Sequence, residues 1–553
     1  MLCAERSELG RAQSREGDPY DAVVIRVTVS DHESGVCGAV HELDCTVVSE
    51  QEVVGKVSDR GSSRSGVPAD GEQELMLHRC EPGFSCLAFA PTQETPHRGP
   101  QLQERCIVTI GQRFILHRGQ NISWHDMNRE TWARFRARVR AAVRNVVASL
   151  GGPFWWLVVL VGLVSGVVGA VFVETLKRVT AVLGPSEFSR ATHLLVFGVV
   201  GVVIALLTRY LGSPGDVELL VDNIHVMGGR SDIRDLRSLL PVSLLGIGAG
   251  SAIGPEAPLV QTTGSLGSWL ALRRRLSVSE TRILTITGMA AGFTVLFGAP
   301  LGSAIFALEI LHRRGLQYYE ALLPAGIGAL SGYIVYVVTT GLGLTPLWHF
   351  VAPTHLHLLD LGVGLAAGVV GALVAAAFSY LTRLFRQLFQ SLPALTRPVL
   401  GGLALGGLAF VSPYAVTFGE GQIQHIVTAK LAVVTLVVAA AAKLCGSSMI
   451  VSSGWRGGFI IPLFFIGAAL GAAATHIGGI TEVVAVTTLM AAVNVGVTKT
   501  PFGSTLVVCE MAGIRLLPPV LLASIVSLLL TSRVALIETQ RERTGALEGP
   551  EPN

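Results

Sequence analysis

Apolar runs follow one another from residue 153 to residue 537, and their lengths fall into two groups. Residues 153–176, 193–211, 318–343, 359–385 and 516–537 approach or exceed the ~20 residues that a helix needs to cross a bilayer. Residues 241–253, 258–271, 283–297, 301–311, 462–475 and 502–512 are shorter, and Gly or Pro separates them. Short helices with breaks at membrane depth are tolerated only where protein or a water-filled cavity surrounds them. The pattern predicts an all-α polytopic membrane protein whose half-length, broken helices gather along a transport path.

Composition agrees with that pattern and divides the chain. Only 15% of the 553 residues are charged, against roughly 25% in soluble domains, while half are hydrophobic and 63 are Gly. The deficit of charge argues against a soluble enzyme. Residues 1–126 are different: they hold 12 basic and 19 acidic residues, against 30 and 20 in the other 427. No run there is apolar enough to span, and its start lacks the basic-then-apolar order of a secretory signal. Ala22–Val29 and Cys106–Ile110 have the β-branched content of strands. Six cysteines, at 3, 37, 45, 80, 86 and 106, show no C-x2-C spacing, so neither zinc nor a redox pair is expected. The expected organisation is a polar, mostly disordered extension over 1–126, a basic juxtamembrane helix over 127–150, a membrane domain over 151–540 and a short tail over 541–553. Five arginines between Trp132 and Arg144 precede the first span. That placement favours a cytoplasmic start over nucleic-acid binding.

An internal repeat sharpens the reading. Pro300–Glu309 (P-L-G-S-A-I-F-A-L-E) and Pro501–Glu510 (P-F-G-S-T-L-V-V-C-E) share P-x-G-S-x5-E, 201 residues apart. Upstream of each is G-x-x-x-P-L, at Gly254–Leu259 and Gly458–Leu463, 204 residues apart. Two motifs in the same order at nearly one offset imply two homologous halves, about 195–345 and 395–540. Inverted repeats of this kind build midplane sites from interrupted helices of both halves.

The breaks carry the candidate chemistry. Pro258 suits the first position of the helix that follows it, and the free N–H groups of such a first turn attract negative charge. Glu256 stands where its carboxylate can fill that site, whereas the second half offers Phe459, Ile460 and Ile461 with no acid. Glu256 is therefore either a helix cap or an ionisable group marking a pathway. The same choice applies to Glu309 and Glu510, which sit near helix ends at equivalent repeat positions. Ser213 can donate its hydroxyl to an anion or cap the next helix. Gly364/Gly368 and Gly402/Gly406 have the spacing of close helix crossings. His355 and His357 lack a third ligand, so no metal is expected there. Cys445 and Cys509 have no His nearby in sequence and no H-E-x-x-H occurs, which leaves a membrane-embedded enzyme unsupported.

These motifs resemble those of the CLC family of chloride channels and proton-coupled chloride exchangers. Ser251–Gln261 (S-A-I-G-P-E-A-P-L-V-Q) resembles the family's G-[KR]-E-G-P segment, with Glu256 at its gating glutamate. Gly458–Pro462, preceded by Ser452-Ser453-Gly454, resembles G-x-F-x-P, and Gly212-Ser213 is similar to the start of G-S-G-I-P with a slipped register. The resemblance covers residues 150–540. It implies a CLC-type fold with two inverted repeats and a homodimer with one pore per subunit. The transported ligand would be chloride, with protons as a possible second one, and no cofactor or nucleic acid is implied. A central anion site would use Ser213 and the N–H groups of Phe459 and Ile460, and an outer one would lie at Glu256 and Ala257. It also implies a multi-pass protein of the plasma membrane with both termini cytoplasmic.

Three departures bear on mechanism. The family's inner proton-relay acid would follow Glu309, where this chain has Ile310. The family tyrosine that contacts the central anion would fall at Ile537. Only 13 residues follow Gln540, so the nucleotide-binding CBS pair of many eukaryotic members is not expected. The first two favour channel-like conduction gated by Glu256. The alternative is a proton/chloride antiporter in which Glu309 or water replaces the usual relay.

Overall fold

The computed structural model describes residues 152–540 except 187, 216, 314, 341–347, 349, 351–354 and 538, together with four short strands upstream. The basic helix expected over 127–150 and the tail over 541–553 lie outside the described residues, as does nearly all of the extension over 1–126. Within that extension β1 (Ile25–Val29) pairs antiparallel with β2 (Gln73–Leu77), and β3 (Cys86–Leu87) with β4 (Ile107–Val108). Two of these strands fall in the β-branched segments.

The membrane unit is all-α. Its first eight helices are α1 (Pro153–Leu183), α2 (Arg190–Leu211), α3 (Val217–His225), α4 (Leu236–Gly248), α5 (Glu256–Arg273), α6 (Val278–Phe297), α7 (Pro300–Glu309) and α8 (Leu322–Thr340). The next eight are α9 (Leu358–Gln390), α10 (Arg397–Val411), α11 (Glu420–Thr428), α12 (Val433–Ser452), α13 (Ile460–Ala474), α14 (Glu482–Thr498), α15 (Pro501–Ala512) and α16 (Leu517–Leu530). Each helix of the first set has a counterpart roughly 200 residues on, so the repeat begins at α1 and α9, earlier than the motifs alone indicate. The packing repeats too: α1 with α8 and α5 with α6 match α9 with α16 and α13 with α14.

Equivalent elements meet each other across the centre, as a two-fold relation requires. Gly254 and Gly458 exchange backbone hydrogen bonds in an antiparallel bridge, 2.7 Å from the Gly254 N–H and 2.6 Å from the Gly458 N–H. A Cβ on either glycine would strike the Glu256 carboxylate. Helices α7 and α15 cap each other: Glu309 accepts from the N–H groups of Phe502 (3.2 Å) and Gly503 (2.6 Å), and Glu510 accepts from Gly302 N–H (3.1 Å). The C-terminus of each helix therefore lies at the N-terminus of the other, which is the geometry of an inverted repeat.

Among the described residues, five helices are long and apolar enough to cross a membrane: α1, α2, α9, α12 and the segment Tyr319–Thr339, which takes in nearly all of α8. Two expectations change. The apolar run 516–537 is not one long helix, because α16 ends at Leu530. There the Lys499 ammonium takes the Thr531 carbonyl and hydroxyl at 2.7 and 2.8 Å, and Arg383 binds the Ala535 carbonyl. Conversely, α12 spans 20 residues although Lys443 interrupts its apolar pattern. Lys443 is fully buried and donates to the carbonyl of Val416 at 2.8 Å, to that of Thr417 and to Gln422 Oε1 at 3.1 Å, with the Phe465 ring 4.8 Å away. A buried ammonium that is fully hydrogen-bonded can be held in an apolar bundle.

Small residues set the crossings. Gly364 and Gly368 lie against Pro519, Ala523 and Val526, and Gly402 and Gly406 against Leu194 and Phe197, so a Cβ would clash at each. Local sequence also fixes helix ends. Ser277 and Glu280 form a reciprocal capping box that starts α6. Gly298 ends α6 with φ 64°, and at the equivalent repeat position Lys499 ends α14 with φ 63°. The lysine takes a conformation that glycine adopts freely. Its ammonium is tied to Gly496 O at 2.6 Å and to Thr531.

Candidate anion pathway

The helix after the first break begins at Glu256, two residues before the expected start, with Pro255 as its N-cap and Pro258 inside the first turn. None of the first four helical N–H groups has a partner within the helix, so proline fits there as well. In the second half α13 begins at Ile460, with Phe459 as its N-cap. Glu256 and Ile460 are thus equivalent first residues of two helices whose preceding glycines are bridged.

The Glu256 side chain does not serve only its own helix. It is fully buried, and its Oε1 accepts from the N–H of Ile461 in the first turn of α13. Its Oε2 has no hydrogen-bond partner and lies against Gly254 and Gly458. The carboxylate thus occupies the anion-attracting end of a helix from the opposite half. The sequence does not mark Ile461 as the contact, because only the pairing of the two breaks at Gly254 and Gly458 decides which amide the carboxylate reaches.

Three cavities flank this group. The largest, about 530 Å³, is lined by Pro255, Gly298, Lys177, Glu420, Tyr333 and Tyr336 among others. A second, about 340 Å³, is lined by Ala257, Gln261, Phe459 and Ile537 and by Arg386, Arg397 and Arg456. Beside the second, a small cavity of about 20 Å³ is bounded by Ala257, Gly458, Phe459, Ile460 and Ile310 among others. That volume is room for a single water-sized species. Pro255 faces the first cavity, while Ala257 and Phe459 face both others. Glu256 therefore stands between Pro255, which lines the first cavity, and Ala257, which lines the other two.

The structure brings together most, but not all, of the residues that the sequence singled out. Glu256, Ala257, Phe459 and Ile460 converge, and Ile537 lines the second cavity. Ser213 is exposed and lines none of the three; Gly215, two residues on, lines the second. The Gly212 break with φ 94° turns the chain so that Pro214 and Gly215, rather than Ser213, face inward. Glu309 lines none of them either, and both its oxygens are engaged in capping α15. Ile310, in the relay position, reaches the small cavity with an apolar side chain. His355 and His357 are exposed, the latter at the N-cap of α9. Cys445 and Cys509 are free thiols. Glu420 and Lys177 in the first cavity, and the arginines of the second, had no motif to mark them; only the fold gathers them.

With this geometry established, comparison with known proteins places the chain. The model of the family described as "Voltage gated chloride channel" matches residues 216–532, and the chain belongs to that family. It is 28% identical over 415 residues to the "Chloride/fluoride channel protein" of Pseudomonas syringae pv. tomato, covering 70% of this chain and 86% of that one. It is 26% identical over 337 residues to the "H(+)/Cl(-) exchange transporter ClcA" of Citrobacter koseri, covering 57% and 70%. Among solved structures, a CLC-type fluoride/proton antiporter matches with a TM-score of 0.61 at 24% identity, over 71% of this chain and 98% of that one. A slow cyanobacterial Cl−/H+ antiporter matches with a TM-score of 0.62 at 20% identity, over 69% and 95%. The fold is the CLC-type fold, and the protein is an integral membrane protein.

Proposed function

We propose that this protein conducts anions across the membrane, chloride foremost, and that Glu256 is its gate. One observation carries the reading: a buried carboxylate, drawn from one half of the repeat, occupies the helix N-terminus of the other half between two cavities. An anion passing along that path competes with the Glu256 carboxylate for the same amides. Protonation of Glu256 removes the competing charge, so acid favours conduction. The roles assigned to Ala257, Phe459 and Ile460 are to bound the place the anion occupies once the carboxylate withdraws, with Ile461 added as the amide released. Ser213, exposed and outside the three cavities, is not assigned a part in this reading.

Channel-like conduction is the primary reading because Ile310 offers no proton acceptor at the small cavity and Glu309 is committed to a helix cap. Ile537, where a hydroxyl would narrow the second cavity, supports the same view. Coupled exchange of protons and chloride is the second reading, supported by the names of the exchange transporters to which the chain is similar. Chloride, and protons under that second reading, are the transported species. The assembly we infer is a homodimer in the plasma membrane with both termini in the cytoplasm; no cofactor, nucleic acid or enzymatic step enters.

The test is chloride efflux from proteoliposomes with external pH recorded in the same cuvette, wild type beside Glu256→Ala. Chloride flux without proton movement supports the channel. Uphill proton movement that Glu256→Ala abolishes while chloride flux persists identifies an exchanger. Absence of anion flux in both proteins would overturn the proposal.

A further inference from the structure

The far end of helix α5 carries positive charge that anion conduction does not use. Arg273, Arg274 and Arg275 follow one another there, all exposed. Among the described residues none of the three is in an ion pair. The one acid close by in sequence, Glu280, is engaged by the N–H and hydroxyl of Ser277 at 3.0 and 2.7 Å. A cation or two at a helix C-terminus is ordinary, because the last turn holds the negative end of the dipole. The third is not: Arg275 has φ 54°, in the left-handed region that favours glycine. The Arg275 N–H donates to the Leu272 carbonyl and the Leu276 N–H to that of Ala271, both at 3.1 Å. That is the Schellman closure of a helix, in which glycine is the usual residue. An arginine held in strained backbone asks for a use of its side chain.

A second, independent feature sets the depth of these arginines. Helix α5 starts at the break whose Gly254 pairs with Gly458 and runs for 18 residues, about 27 Å at 1.5 Å per residue. Its far end therefore reaches the edge of an apolar slab ~30 Å thick. The start of α1 lies there too, since Phe154 and Trp155 share one apolar cluster with Leu270, Ala271 and Leu276. At this corner Trp156, Trp269 and Leu272 are 71%, 45% and 43% exposed, and the Arg273 guanidinium carbon lies 5.6 Å from the centre of the Trp269 ring. In a chain that spans a membrane, exposed tryptophan beside exposed arginine marks the headgroup layer. There an arginine lays its stem on apolar surface and keeps its charge in the polar zone.

We propose that Arg273, Arg274 and Arg275, with Trp269, form a binding surface for an anionic phospholipid of the phosphatidylglycerol class, in the leaflet at which α1 begins. Forked guanidinium donors match phosphate oxygens, and the lipid brings the negative charge that the protein leaves out at this corner. A zwitterionic headgroup brings no net charge and gains nothing from three guanidinium groups. The Trp269 ring lies beneath, against the glycerol and the upper acyl chain. This surface does not depend on whether the protein conducts anions.

The test reconstitutes the full-length protein in bilayers that mix phosphatidylcholine with phosphatidylglycerol, one or the other lipid being brominated so that it quenches the tryptophans it touches. The two quenching series give the relative affinity of the lipids, which should favour phosphatidylglycerol about tenfold or more. Trp269→Phe should remove part of the quenching. Arg273→Gln and Arg274→Gln should each cut the preference about fivefold, and the triple change to Gln should abolish it. Thermal midpoints in phosphatidylcholine alone verify that the variants fold. Arg275→Gly separates lipid binding from helix capping: it relieves the left-handed backbone, so its midpoint in phosphatidylcholine should hold or rise while the preference falls about fivefold. Equal affinity of the two lipids for wild type, or an unchanged preference in the triple variant, overturns the proposal. A lower midpoint for Arg275→Gly with its preference intact makes Arg275 part of the cap and overturns its place in the surface. Loss of the preference in millimolar inorganic phosphate at constant ionic strength assigns the arginines to a soluble oxyanion and overturns the lipid occupant.

Discussion

At the first break a carboxylate, Glu256, opens helix α5; at the equivalent position of the second half an apolar residue, Ile460, opens helix α13. The backbones of the two breaks match closely enough that their glycines pair with each other. The repeat presents two equivalent helix starts, and an acid in the first where the second has an apolar residue makes one half the ligand of the other. Similar divergence appears after α6 and α14. There the first half turns on Gly298, and the second turns on Lys499, whose ammonium fixes the end of α16. The α7 and α15 pair diverged least: both keep the glutamate, and each glutamate caps the other helix. The two breaks and the ends of α6 and α14 differ in chemistry between the halves, whereas α7 and α15 keep the same structural solution.

That contrast is open to direct attack. The largest effect is expected from Glu256→Gln, which leaves both halves without a charged plug. Anion flux in wild type should rise as pH falls, because protonation frees the amides of α13, and in the variant it should be high and flat with pH in a liposome efflux series. A steep pH dependence surviving in the variant would mean that the halves do not divide the gate in this way.

Gly458→Ala and Gly254→Ala come next. Either methyl meets the Glu256 carboxylate, so each should displace it and raise flux at neutral pH toward the level of Glu256→Gln. Retained wild-type flux with an intact fold would place the carboxylate elsewhere.

Lys443→Met probes a buried cation that one half has and the other lacks at the matching helix, where Arg237 of α4 is exposed. It removes the donor from three acceptors, and the expected loss is roughly 2–4 kcal/mol of stability. A detergent-solubilised thermal melt would register it as a lower midpoint, and an unchanged midpoint would show that water replaces the ammonium.

The smallest effect compares the two glutamates at equivalent repeat positions. Glu309 holds two N–H groups of α15 and Glu510 one of α7. Glu309→Gln should therefore lower stability by roughly 1–2 kcal/mol and Glu510→Gln by about half as much. If Glu309→Gln instead left the melt unchanged and stopped proton movement, the residue would be a relay and the symmetry of the caps incidental.

Much of the architecture was legible along the chain. Short apolar runs with Gly and Pro between them, and two motifs recurring in order, depend only on local composition and spacing; these define a broken-helix membrane fold in two halves and mark Glu256. Residues whose meaning lies in contact across the repeat were not legible. Whether Glu309 caps or conducts depends on a helix 193 residues away in sequence. Lys443 reads as an interruption of a span until three acceptors from the segment Val416–Gln422 surround it.

By itself, then, the sequence determined that the chain enters a bilayer, that it does so twice over with the same elements, and where the helices break, because hydrophobic period, proline and glycine act on their own neighbourhood. Only the tertiary structure decided which amide receives Glu256, that Gly215 rather than Ser213 lines the second cavity, and that arginines from three separate elements share that cavity with Gln261. Those are distances between residues far apart in sequence, fixed by how the helices of the two halves pack against each other.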